Sequence, residues 1–225
     1  MSEANQRGEV PRVVAYTDYK SPYAYVADKA VQALGLEYPV ELVWRPYTLR
    51  IAEYLDSVEE RNAHNWRKVK YAYMDARRLA NRLGLTLRGP RRIYNGELAS
   101  LGMLYSQKAG FFAAYHRATF DRFWNHEIDI DSMEEMKAHV ASIGGSADEF
   151  ERYALGEGAG EHRSIVDEAE AAGVFGVPML MFDGEPFWGG DRIWMLRQAI
   201  ERRLEGEAAS RRDARKATEQ RPARD

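Results

Sequence analysis

A serine followed by a proline stands where an extended stretch of the sequence gives way to a helical pattern. Residues 12–19 are β-branched and aromatic, and the segment after Ser21-Pro22 places apolar residues at helical spacing up to Gly35. Serine is a favoured N-cap and proline a favoured first helical residue, so the ordinary interpretation is a helix cap. The functional interpretation is that the helix start stabilises an anion, such as a bound thiolate, beside the Ser21 hydroxyl.

A second candidate site is the dipeptide Val177-Pro178, which follows Gly176 and precedes the apolar run MLMF. A proline at a strand entrance is tolerated where no ladder donor is required, and this is its commoner use. With a cis peptide bond, the backbone N–H and C=O of Val177 would be open to pair with an extended ligand, as a strand edge pairs with a peptide.

The third candidate is the segment Trp188-Gly189-Gly190-Asp191-Arg192, which precedes the last predicted helix. Asp191 is placed to cap that helix, and the glycines allow close approach to the backbone. As a binding site, the helix start would hold a carboxylate while Asp191 accepts an ammonium group. This pairing suits a free amino-acid end, such as the γ-glutamyl group of glutathione.

These three segments require elements that bring them together. Residues 12–46 are typical of a βαβ unit with parallel strands, and the residues after Gly173 are typical of a ββα unit. Between them the sequence predicts only helices, over residues 57–83, 97–116, 131–142, 147–154 and 159–172. The predicted fold is α/β, with one sheet assembled from both ends of the chain and a large all-α insertion.

The predicted domain organisation follows from this division. It comprises a polar N-terminal tail, a βαβ…ββα domain in two pieces, an inserted helical domain and a mobile charged C-terminal tail. In chain order these are residues 1–11, residues 12–50 with 173–204, residues 51–172 and residues 205–225.

Composition excludes several kinds of chemistry. The 225 residues contain no cysteine, which rules out disulfides, thiolate catalysis by the protein and cysteine metal sites. The five histidines include no pair at the spacing of a helical metal site, so no metal is predicted.

Charge and hydropathy limit the partners. A net charge of -3 gives no electrostatic reason to bind nucleic acid. The sequence has no apolar stretch of membrane-spanning length and no signal-like run in its first ten residues, so we expect no membrane partner and a cytoplasmic location. A small-molecule substrate is the remaining expectation.

Taken together, the candidate segments resemble the thioredoxin superfamily, specifically the DsbA-like branch that contains 2-hydroxychromene-2-carboxylate isomerases and kappa-class glutathione transferases. Ser21-Pro22-Tyr23-Ala24 stands where DsbA-like oxidoreductases have Cys-Pro-His-Cys. The segment ending in Val177-Pro178 is similar to the superfamily's cis-proline loop, and the segment from Trp188 is similar to the isomerases' glutathione loop. Within the helical insertion, the resemblance rests on Asn62, Lys68, Tyr71, Asp75, Arg78, Ala80, Tyr94 and Asn95. It spans residues 12 to 204.

The resemblance implies a thioredoxin-like fold and a glutathione cofactor. The glutathione sulfur would lie beside Ser21, its backbone would pair with Val177, and its γ-glutamyl end would meet Gly190 and Asp191. The rest of the implied glutathione site is Pro178, Trp188 and Gly189. The thiolate would attack an aromatic or unsaturated carbonyl substrate and leave regenerated after bond rotation. The residues implied to face that substrate are Asn62, Tyr94 and Asn95.

The sequence departs from the isomerase pattern in the region of residues 50–63. Glu53 and Ala63 stand near positions where the isomerases have basic residues for a substrate carboxylate. This argues against hydroxychromene carboxylate itself as the substrate. Arg45 and Arg50 are two basic residues that can compensate.

Other functions stay open at this point. A transferase that conjugates glutathione would use the same thiolate site, and a redox-inactive DsbA-like module would bind a peptide or protein along Val177. A Ser-His-Asp hydrolase ranks last because Ser21 lies in no G-x-S-x-G elbow. A homodimer also stays open, because one aromatic cluster suits a dimer interface. Core packing is the commoner use of such a cluster. Its residues are Phe111, Phe112, Tyr115, Phe120, Phe123 and Trp124.

Overall fold

The computed structural model describes residues 10–51 and 62–219. Its first elements are strand β1 (Arg12–Thr17), helix α1 (Pro22–Glu37) and strand β2 (Glu41–Pro46). The two strands pair in parallel, with Arg12 opposite Glu41 and Thr17 opposite Pro46. The predicted βαβ unit is therefore confirmed.

Between β2 and β3 the described residues form helices that are joined by turns and loops, with no strand among them. The helices are α2 (Ala63–Arg82), α3 (Glu97–Ala109), α4 (Phe112–Trp124), α5 (Met133–Ser142), α6 (Ala147–Leu155) and α7 (Glu157–Ala171). The single helix predicted over 97–116 was wrong, because Gly110 adopts a left-handed conformation (φ +82°) and ends α3. Ser132 caps α5 by accepting a hydrogen bond from the Glu135 N–H.

The chain closes with strands β3 (Met179–Phe182) and β4 (Glu185–Trp188), a 3₁₀ turn (Gly190–Arg192) and helix α8 (Ile193–Glu219). The strands are antiparallel and are joined by Asp183 and Gly184, both at positive φ, as the type I′ hairpin turn requires. Helix α8 runs past residue 204, where the sequence analysis ended the folded domain. The end of the last helix, predicted at residue 204, was wrong, because alanine, glutamate and arginine favour continuation of the helix. The domain boundary at that residue stays a prediction.

The sheet order is β2-β1-β3-β4, with β3 antiparallel to β1. One face packs against α1 and α8 through a core that includes Val13, Leu34 and Leu196. The opposite face carries Tyr16 and Met179, which pack with residues of α7. One sheet built from both ends of the chain is thus confirmed, whereas the exact bounds of the inserted unit stay a prediction.

The helical region has its own core, and residues of the β1–α1 segment enter it. Tyr19 and Tyr25 are buried in this core, where Tyr25 stacks on Trp124 with ring centroids 6.0 Å apart. The aromatic cluster considered for a dimer interface packs here as well. Among the described residues, no helix is both long and apolar enough to cross a membrane.

Candidate active site

Ser21 lies at the start of helix α1, immediately after a turn that follows β1. Its N–H donates to the Asp18 carbonyl (3.0 Å), and its Oγ accepts a hydrogen bond from the Ala24 N–H (3.2 Å). The residue is buried, and its extended backbone (φ -83°, ψ 117°) makes it a true N-cap. The helix start therefore fixes the hydroxyl next to the positive end of the helix dipole.

The loop before β3 brings Val177 to this serine. The Val177–Pro178 peptide bond is cis. The Ser21 hydroxyl donates a long hydrogen bond, 3.4 Å, to the Val177 carbonyl. These two residues are 156 positions apart in the sequence, so this contact depends on the sheet that pairs β1 with β3.

The segment Trp188–Arg192 joins the same region through its backbone. The Gly189 N–H donates to the Pro178 carbonyl at 2.9 Å. A Cβ atom on Gly190 would lie 2.9 Å from the Cβ of Ala27 on α1, so only glycine allows this approach. Asp191 is exposed and pairs with Arg192. The three segments singled out in the sequence therefore lie together at the start of α1.

Helix α2 faces this site across Tyr23. The Tyr23 hydroxyl donates to Asp75 at 3.0 Å. Burial, and after it this hydrogen bond, raises the pKa of Tyr23 to about 12; the charge of Asp191 contributes in the same direction. Asp75 and Arg78 stand at the i,i+3 spacing that predicts an ion pair on a helix, but the two side chains form none in the described part of the chain, so this prediction was wrong. Asp75 instead connects the helical region to α1.

A cleft of about 600 Å³ opens beside α2, and we call it the α2 cleft. Helix α2 contributes Trp66, Val69, Lys70, Tyr73, Met74 and Arg77 to its lining, and the remaining lining residues are Lys20, Ile51, Gly89, Pro90, Arg91, Arg92, Ile93 and Tyr94. Aromatic and cationic side chains thus share its surface. Such a lining suits a flat ligand that carries negative charge.

The three residues expected to face a substrate occupy different settings. Tyr94 lines the α2 cleft, with its ring edge-to-face to Phe123 at 5.1 Å. The Asn95 N–H donates to Asp131 at 3.0 Å, and Asn95 is not part of the cleft lining. Asn62 caps helix α2, where its Oδ1 accepts two backbone N–H groups at 3.0 Å. The structure therefore brings only Tyr94 of these three into the cleft.

The basic residues proposed to compensate for Glu53 and Ala63 lie elsewhere. Arg45 pairs with Glu168 and Arg50 with Glu170, each at 2.9 Å, on the exposed side of α7. Ala63 is the first residue of α2 and is exposed, whereas Glu53 lies outside the described residues.

Two residues that flank Tyr19, Asp18 and Lys20, were not predicted from the sequence as part of the site. The Lys20 ammonium pairs with the Asp18 carboxylate, and both side chains are at most 5% exposed. The available signal was a charged residue on each side of a tyrosine at the end of an apolar strand. No group of three potential ligands that could hold a metal ion occurs within residues 10–51 and 62–219.

Comparison with known proteins places this geometry in context. The profile of the family described as DSBA-like thioredoxin domain matches residues 12–201. The 2-hydroxychromene-2-carboxylate isomerase of Pseudomonas putida is 30% identical over 193 residues, which cover 83% of this chain and 93% of the relative. The protein of the same name from Sphingobium xenophagum is 28% identical over 185 residues, covering 80% and 93%.

Solved structures agree with this similarity. A structure of 2-hydroxychromene-2-carboxylate isomerase superimposes with a TM-score of 0.74 at 26% identity, covering 88% of this chain and 98% of the other. A probable DsbA oxidoreductase of Streptomyces coelicolor gives a TM-score of 0.69 at 19% identity, covering 85% and 89%. The second likeness concerns the fold alone.

Proposed function

Because the chain belongs to the family of DSBA-like thioredoxin domains, and its named relatives include 2-hydroxychromene-2-carboxylate isomerases that it covers almost completely, we propose that it is a glutathione-dependent isomerase. Its substrate class is an aromatic or unsaturated carbonyl compound. The observation that carries the proposal is the Ser21 hydroxyl, held at the start of α1 and 3.4 Å from the Val177 carbonyl.

The proposed thiolate site follows from that contact. A glutathione sulfur beside Ser21 would accept the hydroxyl's hydrogen bond in place of the Val177 carbonyl, which holds it at 3.4 Å, and would lie at the positive end of the α1 dipole. Both effects favour the thiolate over the thiol, so the pKa of the bound thiol would fall below its ordinary value. Within the described part of the chain the Val177 N–H has no acceptor, which leaves it available to a peptide backbone.

The γ-glutamyl end of glutathione would meet the Trp188–Arg192 segment. Exposed Asp191 supplies an acceptor for its ammonium group, and the backbone of the 3₁₀ turn supplies donors for its carboxylate. Arg192, which already pairs with Asp191, would place a positive charge near that carboxylate. A tripeptide held at its sulfur, its backbone and its amino-acid end is fixed in position and direction.

The proposed reaction returns every atom of glutathione. The thiolate adds to an electron-poor carbon of the substrate and converts a double bond into a single bond, which permits rotation. The reverse step expels the thiolate and restores the double bond in its new geometry. Thiol–disulfide exchange by the protein itself is chemically excluded, since the chain has no cysteine.

Calorimetric titration with glutathione tests the proposal. We expect wild-type protein to bind, and Asp191→Ala to bind roughly 10- to 150-fold more weakly, as loss of a charged hydrogen bond of about 1.5–3 kcal/mol predicts. Ser21→Ala should keep the affinity within about twofold but lose about 10²- to 10³-fold in turnover. Asp167→Ala, which removes an exposed carboxylate of α7, serves as the matched control.

Product analysis separates isomerisation from conjugation. Incubation of an aryl-substituted cis-enone with the protein and glutathione should yield the trans isomer and undiminished free glutathione. An accumulating thioether adduct would instead identify a transferase. Absence of wild-type binding at millimolar glutathione would contradict both activities and favour a peptide-binding module.

A further inference from the structure

Lys20 places a buried ammonium group against the α2 cleft. Its side chain is 5% exposed, yet the residue forms part of the cleft lining. Nζ lies close to the turn that carries Tyr94, because a Cβ atom on Gly96 would be 3.3 Å from it. Burying an ammonium costs free energy, so such a group needs a partner that holds its charge.

Asp18 is that partner, and the surrounding backbone fixes its position. Its carboxylate accepts the Leu49 N–H at 2.7 Å and the Lys20 N–H at 3.1 Å, in addition to the Lys20 ammonium. The carboxylate is completely buried. It therefore orients the ammonium without reaching the cleft itself.

Asp18 accepts only part of the hydrogen-bonding capacity of the Lys20 ammonium. An ammonium has three N–H donors, and Asp18 takes one of them. Within the part of the chain that the structure describes, the other two have no acceptor. Since Lys20 borders the α2 cleft, a ligand in that cleft can accept them.

We propose that Lys20 is a catalytic residue that stabilises the anionic oxygen formed in the substrate; this inference rests on the proposed function. When the thiolate sulfur bonds to the β-carbon of an unsaturated carbonyl, the electrons of the carbon–carbon double bond move toward the carbonyl and make its oxygen an enolate. Lys20 donates hydrogen bonds to that oxygen and keeps its proton. After rotation the electrons return, the carbon–sulfur bond breaks and the thiolate leaves.

The other cations of the cleft are less suited to this role. The Arg77 Nε–H donates to the Leu87 carbonyl at 3.3 Å, and Arg92 pairs with two aspartates at 2.8 Å. Lys70 and Arg91 are exposed, where water screens their charge. A buried ammonium acts in a less polar setting, so its hydrogen bonds to an anionic oxygen are stronger.

The test uses 4-nitrophenol, whose phenolate form absorbs visibly and mimics an enolate oxygen. Bound to wild-type protein, it should ionise at lower pH than in buffer. In Lys20→Gln, which keeps a hydrogen bond to Asp18 without the charge, the ratio of bound phenolate to bound phenol at fixed pH should fall about tenfold, the equivalent of one pKa unit. Lys29→Met removes an exposed lysine of α1 and should keep the wild-type ratio.

A double variant guards against misfolding. Asp18→Asn combined with Lys20→Met leaves no unpaired buried charge, and circular dichroism checks that it folds. It should show the ratio seen in Lys20→Gln. An unchanged ratio in either variant, or a wild-type ratio equal to that in buffer, overturns the role of Lys20.

Glutathione titration of the same variants keeps the two proposals apart. We expect both variants to bind glutathione within about twofold of wild type, because Lys20 lies on the substrate side of the site. A normal 4-nitrophenol response without glutathione binding would reject the proposed function alone. Normal glutathione binding with no effect of Lys20 on the phenolate would reject this inference alone.

Discussion

His139 shows how burial selects a protonation state at a single residue. Its Nδ1 accepts a hydrogen bond from Arg122 at 2.8 Å, and its Nε2 lies 2.8 Å from the Thr119 hydroxyl. A guanidinium only donates, so Nδ1 carries no proton and the ring is neutral with its proton on Nε2. Burial, followed by the charge of Arg122, lowers the pKa of His139 to about 4.

This neutral histidine makes the stability of the protein depend on pH. Because the pKa of His139 is about 4 in the folded state and about 6.5 in the unfolded state, the unfolded state binds the additional proton between these values. The stabilisation is fully present above pH 6.5 and is lost as pH falls toward 4. We expect the free energy of unfolding to drop by on the order of 3 kcal/mol over this window.

Urea unfolding at pH 7, 5.5 and 4.5 measures the effect. His139→Gln retains an acceptor for Arg122 but cannot be protonated, so its stability should change less between these pH values. His64→Gln removes an exposed histidine of α2 and should follow the wild type. If the free energy of unfolding changed equally with pH in wild type and His139→Gln, the neutral state assigned to His139 would be contradicted.

Single residues also differ in how far the sequence reveals their roles. Ser21 could be predicted because capping depends on neighbouring residues, and Gly190 because two adjacent glycines mark a tight backbone approach. Lys20 could not, since only the tertiary fold brings Gly96 close to its ammonium and the Leu49 N–H to its partner Asp18. Local sequence preferences thus predict caps and turns, and long-range packing decides which charged side chains become buried.

At the scale of elements, the crossing of α3 and α4 depends on one glycine. A Cβ atom on Gly102 would lie 2.2 Å from the Tyr115 hydroxyl. Tyr115 cannot move aside, because its ring is fully buried and its hydroxyl donates to the Ala99 carbonyl at 2.8 Å. The close contact of the two helices therefore requires a residue without a side chain.

Gly102→Ala should accordingly destabilise the protein by about 1–3 kcal/mol, the cost of overpacking a filled core. Gly160→Ala is the matched substitution, since Gly160 lies in helix α7 with open space around it. There the methyl group should stabilise by about 0.5–1 kcal/mol through helix propensity. Chemical denaturation measures both, and a Gly102→Ala variant as stable as wild type would disprove the packing argument.

Element boundaries were predicted less well than element types. The pattern 97–116 contained two helices because the chain reverses at Gly110, and hydrophobic spacing alone continues across such a break. Helix α8 extends to Glu219 because residues with high helix propensity continue it after core contact ends. Both errors arise where a local preference and a tertiary contact give different answers.

At the scale of the whole molecule, the site lies where the sheet unit and the helical region meet. Tyr19 and Tyr25 fill the helical core, while Ser21 between them faces the loop of Val177. The sequence indicated both units from their patterns. It could not indicate the α2 cleft, because that cleft depends on how α2 packs against α1.

The end of α8 should be dispensable for the fold as a whole. Among the α8 residues whose side-chain packing the structure describes, Leu204 is the last that contacts the sheet-side core. A chain ending after Ser210 should therefore unfold within about 2 °C of wild type, the shift that about 0.5 kcal/mol produces. Thermal unfolding followed by circular dichroism tests this, and a chain ending after Arg202, which also removes Leu204, should be clearly less stable. A large loss on ending at Ser210 would mean that the distal helix carries contacts of its own.

The bond from the Gly189 N–H to the Pro178 carbonyl has a consequence for how this scaffold can change. It couples two loops by main-chain atoms, with Gly190 seated on Ala27 behind them. Side-chain substitution cannot easily reshape that side of the site, whereas the opposite side includes exposed side chains of α2, such as Trp66, Lys70 and Met74. Divergence within the family, or a mutant library, can therefore change the side chains along α2 while the main-chain contacts around the proposed glutathione site stay constant.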